Sequence, residues 1–169
     1  MSAPTGADAP GGADAERWLA RAVQLATENV AAGGGPFGAV VVAADGTLLG
    51  EGQNRVTRDL DPTAHAEVVA IRAACRTAGD FSLAGASLYT SCEPCPLCLS
   101  AVLWARLDRV VYAADRHDAE AAGFDDREFY ALWATERDDW AHPRITEHRL
   151  DGSVAPFDAW RASAGRTAY

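Results

Sequence analysis

Two short stretches carry residue types that do metal chemistry together. One is Pro62-Thr63-Ala64-His65-Ala66-Glu67; the other is Ser91-Cys92-Glu93-Pro94-Cys95-Pro96-Leu97-Cys98. On a helix beginning at Pro94, Cys95 and Cys98 share one face near the first turn. The positive end of a helix lowers thiol pKa values, and two thiolates there grip one soft metal ion. His65 adds a nitrogen. Two sulfurs and one nitrogen are the protein ligands of a zinc site that keeps its fourth position open for water. Glu67, two residues after His65, is a poor fourth ligand and a good carrier of protons to and from that water.

Three plainer readings compete. Cys95 and Cys98 could form a redox pair, but no thioredoxin-like context surrounds them and His65 and Glu67 would have no task. Cys92 could complete a closed structural Cys3His zinc site. Such a site needs no Glu67 and activates no water. His65 taken alone reads best as a core histidine; the downstream cysteines overturn that.

These residues need a scaffold. The chain has 169 residues, 49% apolar and 23% charged, which suits one soluble domain with a real core. Residues 1–13 read as a disordered tail and 14–169 as a single domain. No apolar run approaches membrane-span length, and the N-terminus lacks a secretory pattern. Four cysteines do not make a disulfide framework, so a cytoplasmic location is expected. The net charge of −9 repels phosphate backbones and argues against nucleic acid as a partner.

Periodicity places the elements. From Asp14, the residues Leu19, Ala22, Val23, Ala26 and Val30 predict a helix with one buried stripe, ended by Gly33-Gly34-Gly35-Pro36. Residues 37–43 read as a central strand and 48–54 as its hairpin partner across Asp45-Gly46. A second helix starts at Pro62-Thr63 with Thr63 as cap, and Val68, Ile71 and Cys75 mark its buried face. Its first turn then holds His65 and Glu67. Strand 87–90, helix 95–105 and strand 109–113 make one parallel β-α-β unit. Ligands of such sheets lie beyond the carboxyl ends of the strands, where Cys92 to Cys98 fall. A short helix follows Asp125-Asp126, then a fifth strand over 144–150 and a terminal helix over 156–169.

H-x-E followed by P-C-x-x-C is the zinc deaminase signature. Gly35 to Val40, Gly52-Gln53-Asn54, Trp104-Ala105-Arg106, Ala122-Gly123-Phe124-Asp125-Asp126 and Phe157 to Tyr169 extend the match. Over residues 18–169 the chain resembles the cytidine-deaminase-fold guanine deaminases of bacteria. The resemblance implies an α/β chain: a three-layer α/β/α cytidine deaminase-like fold on a mixed five-stranded sheet. It implies one zinc ion per subunit with a bound water or hydroxide. It implies a small-molecule purine substrate, guanine, deaminated hydrolytically to xanthine and ammonia. It also implies a homodimer in which the C-terminal segment is exchanged and Tyr169 helps close the partner's site; taken alone, Tyr169 reads as a frayed terminus.

Roles follow residue by residue. Glu67 is the first proton carrier. The resemblance makes Asp126 the second, against its plain reading as a helix N-cap, with Asp125 one residue away as the alternative. An amide at Asn54 can pair with a purine edge. Phe37 and Trp104 can stack on a base, although each is more often core. By resemblance alone, His65, Ala66 and Asp126 also meet the substrate. Glu93 fits the family pattern without a separate role, and Glu147 and His148 read as surface. The zinc motifs do not name the ring. Cytosine, guanosine, ammeline or tRNA adenosine remain alternative substrates, and a non-catalytic zinc-stabilised module remains an alternative class.

Overall fold

The segment Gly38–Val42 (β1) is apolar and buried at every position, as a strand covered on both faces must be. The computed structural model describes residues 12–124 and 126–168. These fall into two compact units divided after Tyr130.

In the first unit, β1 pairs antiparallel with Leu48–Gln53 (β2) on one side and with Ser87–Cys92 (β3) on the other. Arg109–Ala114 (β4) runs parallel to β3 with Ser87 opposite Arg109, as the β-α-β pattern requires. The order is β2-β1-β3-β4 in one mixed sheet.

Side-chain alternation in β1 sorts the core into two layers. Val40 and Val42 face the helix Gly12–Ala31 (α1), packing with Trp18, Leu25 and Tyr89. Ala39 and Val41 face the opposite layer, where Ala66–Ala78 (α3) and Pro96–Trp104 (α4) lie. Close packing fixes α3 on β2. A Cβ at Gly52 would stand 2.1 Å from the Ala66 carbonyl oxygen, so only glycine permits this approach. The small residues Ala66, Ala70 and Ala74 form the face of α3 that is pressed down, and the start of α3 is thereby pinned.

Several expectations need correction. Among the described residues the sheet has four strands, not five. Residues 144–150 carry no regular structure. Their two apolar residues, Ile145 and Leu150, are five apart and would point to opposite faces of a strand, so no apolar face exists to dock. Helix α1 begins at Gly12, and residues 1–11 of the expected tail lie outside the described residues. Its buried stripe is Trp18, Ala22, Leu25, Ala26 and Asn29, while Val23 and Val30 are 44% and 52% exposed. Both stripes have helical spacing. The larger indole decides which one turns inward.

Helix α3 starts at Ala66 rather than Pro62. Asp61 accepts hydrogen bonds from the Thr63 N–H and hydroxyl at 2.8 and 2.7 Å, which spends Thr63 on a turn instead of a cap. Cys75 is only half-buried. Two short helices were not foreseen, Val56–Asp59 (α2) and Arg116–Ala121 (α5). The second opens with a capping box of Asp115 and Asp118, a signal present in the sequence. A further helix, Arg127–Trp133 (α6), follows Asp126 as expected.

The second unit holds a 3-10 turn, Arg137–Asp139, and the helix Ala155–Ala162 (α7). The terminal helix thus ends seven residues before the expected position 169. Trp133 and Trp140 meet edge to face at 5.7 Å. Ile145, Leu150, Phe157 and Trp160 are exposed. No helix among the described residues is long and apolar enough to cross a membrane.

Candidate active site

Two helix N-termini converge on the expected ligands. His65 is the N-cap of α3 and Cys95 the N-cap of α4, with Pro96 at the first helical position. The His65 side chain makes no capping bond to α3, and that of Cys95 bonds within α4 only to Cys98, so the two side chains turn toward a shared point. His65 Nδ1 stands 3.5 Å from Cys95 Sγ and 3.5 Å from Cys98 Sγ. Bonds of about 2.0–2.1 Å to nitrogen and about 2.3 Å to sulfur put those atoms roughly 3.5 Å apart around tetrahedral zinc. The donor set and its spacing therefore fit zinc. Among the described residues, His65, Cys95 and Cys98 form the one group of metal-donor side chains this close together. Hydrogen bonds from Cys98 and His65 lower the pKa of the Cys95 thiol, favouring the thiolate.

Cys92 is not part of this group. Its Sγ donates to the Asp115 carbonyl at 3.6 Å, and burial pushes its pKa up to about 11. The closed four-ligand alternative thus lacks its fourth ligand. Glu67 lies at the second position of α3 and is 6% exposed. Burial raises its carboxyl pKa, so this group holds a proton more readily than a surface glutamate.

The ligands open onto a cavity of about 320 Å³. Its walls include Gly35, Phe37, Asn54, Glu67, Arg116, Phe124 and Asp126 beside His65 and Cys95. Phe37 and Phe124 meet edge to face at 5.1 Å. Asp126 Oδ1 is buried without a hydrogen-bond partner, and burial raises the pKa of its carboxyl. Asn54 is buried, and its Oδ1 accepts from the Val56 N–H at 3.3 Å.

The cytidine and deoxycytidylate deaminase zinc-binding region matches residues 13–114 of this chain. The chain belongs to that family. Guanine deaminase of Bacillus subtilis is 50% identical over 159 residues, covering 91% of this chain and 98% of the relative. Its X-ray structure superposes with a TM-score of 0.86 over the same shares. Guanine deaminase from Nitrosomonas europaea is more distant, at 36% identity and a TM-score of 0.62 over 66% of this chain and 64% of that one. A tRNA-specific adenosine deaminase of Haemophilus influenzae is 36% identical over 64% of this chain and 62% of its own length.

The deaminase-fold cavity gathers His65, Glu67, Cys95, Asp126, Asn54 and Phe37, as the sequence leads one to expect. It does not gather Trp104, which ends α4 and is 66% exposed. Two turns of α4 carry it away from the cysteines. Ala66 is fully buried, its methyl group in the α3 core layer. Tyr169 and Asp125 lie outside the described residues.

Three contributors escaped the sequence reading of this deaminase. Phe124 forms a wall with Phe37. Arg116 donates to both Glu93 carboxylate oxygens and stacks over the Tyr130 ring at 4.0 Å. Asn29 is fully buried on α1. Phe124 stood in the Ala122 to Asp126 match without a role, and Asn29 left a trace as a polar residue in line with Ala22 and Leu25.

Proposed function

We propose that this chain hydrolyses guanine to xanthine and ammonia, with Glu67 and Asp126 carrying the protons. The observation behind the chemistry is that both carboxyls line the same cavity as His65 and Cys95. Likeness along nearly the full length of Bacillus subtilis guanine deaminase supports guanine as the ring.

His65, Cys95 and Cys98 would hold zinc, which when bound would supply an activated water and a polarised reacting centre. The Glu67 carboxylate accepts a proton from the attacking water as the water oxygen bonds to C2 of guanine and the π pair moves to the adjacent ring nitrogen. The same carboxyl then donates that proton to the adjacent ring nitrogen; the pKa that burial raises suits both steps. The exocyclic amine must gain a proton before leaving as ammonia. Asp126, with one buried oxygen unpartnered, takes the proton of the hydroxyl on C2 and passes it to the amine, so that the C2 carbonyl forms as the C2–N bond breaks and ammonia leaves. Asn54 pairs with the purine edge, while Phe37 and Phe124 enclose the ring.

We further propose a homodimer that exchanges the C-terminal segment, with Tyr169 completing the partner's site, and a cytoplasmic location. Support comes from the second unit taken by itself. It exposes Phe157 and Trp160 and has almost nothing buried, so it needs a surface to cover them. Leu103 and Trp104 on α4 are exposed as well.

The test is ammonia release by the zinc-loaded protein from guanine, beside adenine, cytosine, guanosine and cytidine. Guanine turnover supports the reading. Turnover of another amine with silence on guanine discards the substrate and keeps the chemistry.

A further inference from the structure

Asn29 lies far from both motifs in sequence, yet its carboxamide ties together two walls of the cavity. Nδ2 donates to the Gly35 carbonyl at 2.8 Å and to the Asn54 carbonyl at 2.7 Å. Oδ1 accepts from the Arg58 guanidinium at 2.9 Å, which fixes the orientation of the amide. Its backbone carbonyl also accepts from the Gly34 N–H at 2.8 Å. A Cβ at Gly34 would stand 2.4 Å from Asn29 Nδ2, so the chain passes here at a distance that only glycine allows.

We infer that Asn29 is a positioning residue for substrate recognition, acting through Asn54. Both acceptors, Gly35 and Asn54, line the cavity. One amide that bonds both of their carbonyls sets the gap between two segments joined to β1 and β2. Phe37 belongs to the same arrangement, since its carbonyl accepts from the Asn54 N–H at 3.0 Å. The side-chain hydrogen bonds of Asn29 go to Gly35, Asn54 and Arg58 and not to the metal ligands or Glu67, so its influence falls on binding the ring rather than on moving protons. Asn29 is also spent in full: both amide hydrogens and the amide oxygen have protein partners. Leaving any of these buried groups unpaired is costly, and the cheapest relief is movement of the Asn54 segment.

This inference rests on guanine deamination as the assay, so wild-type turnover of guanine is measured first. If another amine-bearing base is the one turned over, the guanine reading fails, and the comparison below is made with that base. Asn29→Asp keeps size and the Arg58 pairing but offers no N–H to the two carbonyls. KM is expected to rise roughly 10-fold or more, with kcat changed less than about 3-fold and zinc content unchanged. Asn54→Ala raises KM by itself. In the double variant Asn29→Asp, Asn54→Ala, KM should stay within about 2-fold of Asn54→Ala alone, because residues acting through one another are not additive. Multiplying effects, or a fall in kcat at unchanged KM, would overturn the inference. Should Asn29→Asp fail to fold, Arg58→Ala decides: its side chain is at the surface, and losing it frees the amide to turn. A smaller KM rise that disappears in the Asn54→Ala background supports the role. An unchanged KM rejects it.

Discussion

Tyr130 donates its hydroxyl hydrogen to the carbonyl of Pro94, the residue immediately before the metal ligand Cys95. The Arg116 guanidinium sits over the Tyr130 ring and holds Glu93 in the same turn. The segment between Arg116 and Tyr130 carries Phe124 and Asp126. The turn that presents Cys95 is therefore tied to the segment that presents the second carboxyl.

Tyr130→Phe removes that tie with little change in volume. We expect a stability loss of about 1 kcal/mol, the worth of one buried hydrogen bond. Zinc content should stay at the wild-type level while kcat falls. Metal analysis beside steady-state kinetics checks this; unchanged kcat would mean the tie does not reach Asp126.

Acid stability should depend on Glu93. The Arg116 hydrogen bonds hold its carboxyl below the usual range. A folded pKa below the unfolded one, about 4.3, gives stability that is present above that value and lost as pH falls through the folded pKa. Glu93→Gln should melt below wild type at pH 7, and the gap should close as pH falls through the carboxylate range. A gap that stays constant in melting curves from pH 7 to 3 contradicts the assignment.

Glu67→Ala should retain zinc and lose turnover by about 100-fold or more, the usual worth of a proton carrier. Asp126→Asn should also slow release of ammonia without loss of metal. If Glu67→Ala still turns guanine over at the wild-type rate, the proton-carrier role falls.

Cys95→Ala leaves two of three ligands, and zinc should be lost together with much of the solubility. Chelation of the wild type should lower its melting temperature in parallel. Unchanged zinc stoichiometry in the variant means that the ligand set is misassigned.

Removing residues 163–169 tests the proposed exchange. Deamination should drop while zinc remains bound, and the fall should appear as weaker substrate retention. Full activity after truncation removes the C-terminal lid from the mechanism.

The metal ligands, Glu67 and the parallel strand pair around α4 were readable in the chain, because each rests on local spacing. Two cysteines three apart behind a proline, and a histidine two before a glutamate, have few chemical uses in common. Strand β1 was legible for a related reason: an unbroken apolar run has to be covered on both sides. The start of α3 was missed because Pro62-Thr63 mimics a helix opening, while Asp61, a neighbour in the turn, claims the Thr63 hydroxyl. The stripe of α1 was read in part: Ala22 and Ala26 are buried as expected, but Val23 and Val30 are exposed, because two overlapping faces share the same period and the sheet chooses between them.

By itself, then, the sequence determined the ligand types, their order and the carboxyl group that lies beside them, since these follow from chemistry carried within a few residues. The tertiary structure decided which distant side chains meet. It brought His65 within 3.5 Å of both sulfurs by setting two helix N-termini side by side. It left Trp104 exposed, and it placed Asn29 between Gly35 and Asn54. Such pairings depend on how closely α1 and α3 approach the sheet, through small residues such as Gly38 and Gly52, and on a gap of a few ångströms that no local spacing encodes.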